Sequence, residues 1–481
     1  MLGIMDKARI GLVSLGCPKN LVDSEEMLGA LIGTGRAEMV DPSADSDVLV
    51  VNTCAFIDSA KQESIDAILE AVERKRRGEV GKVLVAGCLA QRYGADLERD
   101  IPEVDAFVGV QSAPRIADLV FGAGTVRGGG ATLLPMAGNQ VAPLPEKYPL
   151  VPPRRVRATA PWTAYLKVSE GCDHGCTFCA IPKFRGRHRS KPIEHVLDEA
   201  RRLVDAGAVE INLIAQDTTA YGMDLYRELA LPRLLEGLGA IPGLRWVRLL
   251  YCYPTMVTDR LVRTMADTGN VVRYLDLPLQ HGDDGMLSRM KRGGTVSTYY
   301  RLFDRLRSAM PDIALRTTFL VGFPGEDEAS FAQLERFVDA ARFDRLGVFE
   351  YSPEDGTPGA AMRPVVSRRT AADRRRRLML RQQAISEQLN SALVGRTLEV
   401  LVESREGGRW VGRTWRDAPE IDGVVRFSGE GLRVGNYARV RIDEAGPYDV
   451  AGSVDPAEDA RRAEFGAAMS EGRPTAAPTG G

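Results

Sequence analysis

Cys172-Asp173-His174-Gly175-Cys176-Thr177-Phe178-Cys179 decides how the rest of the chain is read. Three thiols fall within eight residues, spaced C-x3-C-x2-C, with an aromatic before the last. Three thiolates can hold three corners of a cubane iron–sulfur cluster and leave the fourth iron without a protein ligand. That open iron is what a cluster needs to bind a small molecule directly. The residues that follow, Ile181-Pro182-Lys183-Phe184-Arg185-Gly186, read as loop rather than helix. A zinc knuckle with His174 or His188 as fourth ligand is the bland alternative, but no second Cys pair follows at zinc-ribbon spacing.

Around this stretch, residues 161–390 read as a run of β–α units. Strands are expected at 164–169, 209–215, 245–251, 272–277, 313–321 and 345–351, with amphipathic helices such as 192–206 and 327–341 between them. Six parallel strands with helices outside make an incomplete (β/α)6 barrel. The Cys loop follows the first strand, at the mouth where barrel enzymes keep their chemistry. Other strand ends bring polar side chains there: Gln216 and Asp217, Tyr251 and Tyr253, Asp276 and Gln280, Tyr351 and Glu354. Of these, Gln216 and Asp276 are the candidates for holding a cofactor. The loop Gly322-Phe323-Pro324-Gly325-Glu326 could bring backbone near a nucleoside, and Cys252 is read as structural.

Upstream, residues 8–125 repeat one pattern three times. Short β-branched runs end at Cys17, Cys54 and Cys88, with helical stretches at about 22–34 and 58–77 between them. Strand–helix alternation with continuous apolar strands predicts a doubly wound α/β domain on a parallel sheet. Ligands collect at the carboxyl ends of such strands, and all three thiols lie there. Buried core thiols are the bland reading, yet core thiols have no reason to recur at one topological position. Residues 126–160 are rich in Gly and Pro and read as a linker, on which Arg154, Arg155 and Arg157 are expected to be solvated.

Downstream, residues 367–392 are strongly helical, with Arg374 to Arg377 expected on a solvated face. Residues 393–452 change to short strands (397–402, 410–414, 424–427 and 437–442) between Gly and Asp turns, which predicts a small antiparallel OB-like barrel. From residue 453 to 481 the tail is Ala/Gly/Pro/Glu-rich and expected to be disordered.

The bulk numbers exclude several classes. With 481 residues, 44% apolar and 27% charged, the chain is an ordinary globular protein of two to four domains. A formal charge of −2 gives no overall pull towards nucleic acid or an anionic membrane. Six of the seven Cys form two sets, which is metal usage in a reducing compartment rather than a disulfide framework. Neither a signal peptide nor a membrane span is evident, so the expected location is cytoplasmic.

The stretch around Cys172, Cys176 and Cys179 resembles the signature of the radical S-adenosylmethionine (SAM) superfamily. The resemblance implies a [4Fe–4S] cluster on these three Cys, SAM on its open iron, and Phe178 beside the adenine. With three N-terminal Cys and a small C-terminal barrel, residues 8–452 resemble the methylthiotransferase family. Membership would place a second, auxiliary [4Fe–4S] cluster on Cys17, Cys54 and Cys88, and would make the barrel a TRAM domain. One branch of that family modifies an adenosine of transfer RNA; the other modifies the β-carbon of an aspartate in small-subunit ribosomal protein S-12. Ser14-Leu15-Gly16-Cys17-Pro18-Lys19-Asn20, Ala215-Gln216-Asp217-Thr218-Thr219-Ala220-Tyr221-Gly222 and Tyr351-Ser352-Pro353-Glu354-Asp355-Gly356-Thr357 are similar to the second branch. The resemblance implies SAM as methyl donor and as source of a deoxyadenosyl radical, sulfur delivered through the auxiliary cluster, and an electron donor such as flavodoxin. It leaves the sulfur source open. Charge points the same way: residues 395–452 carry nine Arg against ten Asp and Glu, whereas an RNA-gripping module normally presents a basic face. The competing expectations are a transfer RNA adenosine methylthiotransferase and, from another class, a non-enzymatic zinc- and nucleic-acid-binding protein.

Overall fold

The computed structural model describes residues 7–122, 138–148 and 155–455. The first half of the chain runs β1 (Ala8–Ser14), α1 (Pro18–Ile32), β2 (Ala37–Met39), β3 (Ser46–Thr53), α2 (Asp58–Arg76), β4 (Val80–Gly87), α3 (Cys88–Asp100), β5 (Ala106–Val108), α4 (Ala113–Phe121), β6 (Thr163–Lys167), β7 (Ser169–Glu170), α5 (Ile181–Phe184), β8 (Arg189–Ser190), α6 (Ile193–Asp205), β9 (Glu210–Ile214), α7 (Met223–Tyr226) and α8 (Leu231–Gly239). The second half runs β10 (Trp246–Leu249), α9 (Asp259–Asp267), β11 (Val271–Gln280), α10 (Asp284–Arg289), α11 (Val296–Ala309), β12 (Ala314–Val321), α12 (Glu328–Ala341), β13 (Arg345–Glu350), α13 (Pro358–Ala361), α14 (Arg368–Ser391), β14 (Thr397–Glu406), β15 (Arg409–Arg413), β16 (Val425–Ser428), β17 (Tyr437–Ala445) and β18 (Val450–Val454). No helix among the described residues is long and apolar enough to cross a membrane.

Two compact units divide the chain: residues 1–241 with 352–362, and residues 242–351 with 363–481. The first unit begins with a five-stranded parallel sheet in the order β2-β1-β3-β4-β5. The middles of its central strands, residues 48–51 and 83–86, are continuously apolar because both faces are covered. Leu49, Val51, Val83, Val85 and Phe107 pack with Ile68 and Val72 of α2 and Leu89 and Leu97 of α3. The alternate residues Ile10, Val48, Val50 and Leu84 pack with Leu28 and Leu31 of α1 and Ile116 and Val120 of α4. This is the doubly wound domain that the sequence predicts. The same unit holds β6 and β9, paired in parallel, and the short antiparallel ribbon of β7 and β8 that brackets the Cys172–Cys179 loop.

In the second unit β10, β11, β12 and β13 pair in parallel in chain order, with α9, α11 and α12 between them in sequence. Together with the pair β6 and β9 of the first unit, the parallel strands number six, as the sequence predicts for the (β/α)6 core. Beyond α14, a closed barrel of order β14-β15-β16-β18-β17 encloses Val400, Phe427, Val440 and Ile442. All its pairings are antiparallel except β16 with β18.

Several expectations need correction. Ile181–Phe184 is one helical turn rather than loop, and Pro182 is tolerated there because it stands in the first turn, where its missing N–H is not needed. Ser453 and Val454 belong to β18, which closes the barrel between β16 and β17, so the ordered chain runs past residue 453. The rest of the expected tail, from 456, lies outside the described residues, as do Arg154 and much of the 126–160 linker. Within that linker, residues 138–140 bond to Phe107 at the edge of β5 rather than standing free. Arg155 is not solvated: its side chain is buried between Glu25 and Glu199. Arg374 is likewise buried, 3.3 Å from Glu326, while Arg375 and Arg376 are exposed as expected. Each buried Arg has a carboxylate partner far away in sequence, which neither periodicity nor composition can reveal.

Candidate active site: two cysteine triads in one unit

Parallel register brings the first triad together. Ser14 is opposite Asn52, and Thr53 is opposite Gly87, so β1, β3 and β4 end level with one another. Cys17 is the N-cap of α1, Cys54 is the first residue beyond β3, and Cys88 opens α3. The turns need glycine. Gly16 has φ +88°, and a Cβ on it would stand 2.7 Å from the Cβ and 2.9 Å from the Sγ of Cys54. Gly87 has φ +95°, and a Cβ there would meet Asn52 Oδ1 at 2.3 Å. Side-chain amides fix the three turns to each other. Asn20 Nδ2 donates to Leu15 O and Thr53 O, and Asn52 Nδ2 donates to Asn20 O and Ser24 Oγ. Ser64 Oγ accepts from Cys54 N–H and donates to its carbonyl, both at 3.0 Å.

The second triad lies on the loop between β7 and β8. Cys172 N–H donates to Gly186 O at 3.0 Å and Cys179 N–H to Cys176 O at 3.1 Å. Cys176 is buried; Cys172 and Cys179 are half-buried. His174 Nε2 is 2.6 Å from Asp217 Oδ2, and His188 Nε2 is 3.1 Å from Ser190 Oγ. Both imidazoles named in the zinc reading thus have partners in the supporting layer. Among the described residues no three His, Cys, Asp or Glu side chains sit at the spacing of a single metal ion. A cubane asks for a wider set, with each thiolate on its own iron.

The donor sets fit such clusters. Burial pushes the Cys54 thiol up and the Cys88 thiol up to about 12, the latter against the pull of the Arg185 guanidinium. Burial also pushes Cys172 up to about 12, opposed by the backbone N–H of His174. Desolvated thiols of this kind ionise against the charge of a metal centre, and metal binding then releases their protons.

The two triads are linked by charged side chains that are almost wholly buried. Arg185 Nη1 donates to Glu170 Oε1 at 2.8 Å, and its Nη2 lies 3.1 Å from Asp23 Oδ2. Lys167 Nζ lies 3.1 Å from Glu170 Oε2 and pairs with Asp23 as well. Glu170 is held far below the usual carboxylate range: burial alone would raise it, but Arg185 and Lys167 outweigh burial. Sequence reasoning missed this network. The available signal was a Lys and a Glu inside a stretch that is otherwise a buried strand, since such charges are almost never buried unless paired.

Gln216 and Phe178 stand where a SAM site is expected. Gln216, two residues past the end of β9, donates Nε2 to Glu170 Oε1 at 2.7 Å, and its Oε1 is buried without a protein partner. An orphaned acceptor suits a ligand N–H. Phe178 is half-buried between Cys176 and Cys179. Asp276, in the second unit, is 2% exposed and its oxygens are taken by Arg316 at 2.9 Å and Tyr251 N–H at 2.9 Å. Cys252 is fully buried and its N–H donates to Asp276 O. We expect Phe178→Ala to weaken SAM binding by about 1 kcal/mol, the scale of one lost aromatic contact, while iron content stays unchanged. Equilibrium binding of SAM to the iron-loaded protein checks this, and unchanged affinity counts against the assignment.

Comparison with known proteins agrees with this geometry. The Radical SAM superfamily matches residues 166–338, the Uncharacterized protein family UPF0004 matches residues 9–109, and the TRAM domain matches residues 394–454. The ribosomal protein uS12 methylthiotransferase RimO of Symbiobacterium thermophilum is 47% identical over 452 residues, covering 92% of this chain and 90% of its own. The protein of the same name from Anaeromyxobacter sp. (strain Fw109-5) is 46% identical over 480 residues, covering 99% and 97%. Among solved structures, the radical SAM methyltransferase TsrM of Kitasatospora setae, with cobalamin and a [4Fe–4S] cluster bound, aligns at a TM-score of 0.50 and 16% identity, over 74% of this chain and 77% of that one. That likeness concerns the fold alone. On the strength of near-full-length identity to its relatives, the chain belongs to the ribosomal protein uS12 methylthiotransferases of the radical SAM superfamily.

Proposed function

We propose that this chain replaces a C–H bond on the β-carbon of an aspartate in ribosomal protein uS12 with C–SCH3, using SAM and two [4Fe–4S] clusters. One observation carries the proposal: two cysteine triads sit within a single compact unit, and the Arg185–Glu170 pair joins them. Cys172, Cys176 and Cys179 would hold the SAM-binding cluster, and Cys17, Cys54 and Cys88 the auxiliary one. When bound, these groups supply the one-electron chemistry that an unactivated carbon requires and acid–base groups cannot. The chain's own residues orient and exclude. Gln216 offers its free acceptor to the cofactor, Phe178 packs beside the adenine, and Asp276 fixes the backbone of Tyr251. Burial around Cys54 and Cys88 keeps water from the auxiliary site. Functional parts are assigned to 8–125 for the auxiliary cluster, 161–390 for the SAM core and 393–452 for holding the macromolecule. Low cluster potentials call for an external electron donor such as flavodoxin, and the free thiols for a reducing compartment such as the cytoplasm.

The barrel's nine Arg against ten acidic residues supports a basic protein substrate over RNA. The test is anaerobic turnover followed by mass spectrometry of small-subunit proteins and of transfer RNA nucleosides. A methylthio group on an aspartate-containing uS12 peptide is expected. Its appearance on adenosine, with proteins unmodified, overturns the proposal in favour of the transfer RNA reading.

A further inference from the structure

Arg185 occupies an unusual position. It follows the last thiol of the second triad by six residues, yet it reaches a thiol of the first. Its Nε is 3.3 Å and its Nη2 3.1 Å from Cys88 Sγ. The other end of the guanidinium donates to Glu170, two residues before Cys172, and Glu170 in turn accepts from Gln216. The side chain is 2% exposed, so burying its charge is costly unless its partners are charged or strongly polar. Glu170 and Asp23 supply part of that. A neutral thiol is a poor partner for two guanidinium donors, whereas a metal-bound thiolate is a good one.

We infer that Arg185 is a positioning residue for the auxiliary cluster: it donates two N–H groups to the coordinating sulfur of Cys88, raises that cluster's reduction potential, and fixes its placement against the SAM site through Glu170 and Gln216. Hydrogen bonds to ligand sulfur draw electron density off the cluster and favour its reduced form. Arg185 touches the sulfur of Cys88 directly but reaches the Cys172 loop only through Glu170, so its loss acts on the potential of the auxiliary cluster. Lys cannot replace Arg here, because one ammonium cannot span both Cys88 and Glu170 in a fixed fork. The inference rests on the proposed second cluster.

The experiment uses the full-length protein loaded with iron and sulfide anaerobically, as wild type, Arg185→Lys and Arg185→Gln. Iron is counted on each sample before an EPR-monitored redox titration. The expected result is about eight iron per chain, a more negative potential for the auxiliary cluster alone, and SAM cleavage retained while methylthio transfer falls about 10- to 100-fold. A readout independent of any variant's folding is pulsed EPR of wild-type protein carrying 15N-arginine, in which the reduced auxiliary cluster should show coupling to 15N. Absence of that coupling overturns the inference, as does an unchanged or equally shifted pair of potentials at about eight iron. A wild-type content of about four iron overturns the second cluster itself, and the inference with it.

Discussion

Replacing Cys172, Cys176 and Cys179 together with Ala leaves about half the iron and abolishes reductive cleavage of SAM. Replacing Cys17, Cys54 and Cys88 also leaves about half, but SAM cleavage persists and no methylthio group is transferred. The asymmetry follows from the layout. The triads belong to separate elements: one to a single loop between β7 and β8, the other to three strand ends of the doubly wound sheet. Neither set supplies a ligand to the other. The shared network of Arg185, Glu170 and Lys167 contributes charge and hydrogen bonds, and Arg185 keeps Glu170 and Asp23 as partners when Cys88 is shortened to a methyl group. Iron and acid-labile sulfide counts, with deoxyadenosine and methylthiolated product measured in parallel, check both arms. Full iron content in either triple variant would sink the two-cluster assignment.

The largest effect on stability is expected at Arg155. Its Nη1 is 2.8 Å from Glu199 Oε1 and 2.9 Å from Tyr165 O, and its Nη2 pairs with Glu25. The three ionic side chains are each 6% exposed or less. Arg155→Met leaves Glu25 with the backbone N–H of Ala158 as its remaining side-chain partner, and leaves Glu199 with Lys191 alone. Stranding a buried carboxylate in this way costs about 3–5 kcal/mol. Adding Glu25→Gln to Arg155→Met should recover part of the loss, because it removes the stranded charge. Urea unfolding of the single and double variants at neutral pH measures both. A loss below about 1 kcal/mol, the level of an exposed pair, would show that the pair is solvated in solution.

The same cluster sets an acid limit. Burial would raise Glu199, but Lys191 and Arg155 outweigh it and hold the carboxyl at about 2, against an ordinary value of 4.5. Its folded value lies below its unfolded one. The stabilisation is therefore complete above about pH 4.5 and is lost as pH falls towards 2, by roughly 3 kcal/mol in all. In Arg155→Met that loss with acid should be smaller, since one of the two cations holding Glu199 down is gone.

How much of this was legible in advance depends on the range of the interaction. Thiol spacing within residues 172–179, the β-branched runs ending at Cys17, Cys54 and Cys88, and the Gly/Asp turns between the C-terminal strands are local patterns. Local patterns dictate strand, helix and turn through side-chain alternation and backbone sterics. They suffice for the doubly wound sheet, the strands of the open barrel and the small closed barrel, and they mark the six Cys proposed as cluster ligands. The short β18 escaped because Val450-Ala451-Gly452-Ser453-Val454 carries little strand signal of its own; it is made a strand by neighbours on both sides.

The charged residues are the other case. In sequence, Arg155 stands on a Gly/Pro-rich linker and reads as solvated, and Arg185 stands in a stretch that reads as loop, with nothing to mark it as buried. Their partners Glu25 and Cys88 are 130 and 97 positions away, and Asp23 is 144 from Lys167. A charge is buried only where a distant counter-charge or donor meets it, and that meeting is a property of the folded chain. The sequence by itself thus determined the architecture and where the two cysteine triads fall in it, because these follow from near neighbours. Tertiary structure alone decided which side chains join the two triads, because the cost of burying a charge is offset only by a partner that folding brings into place.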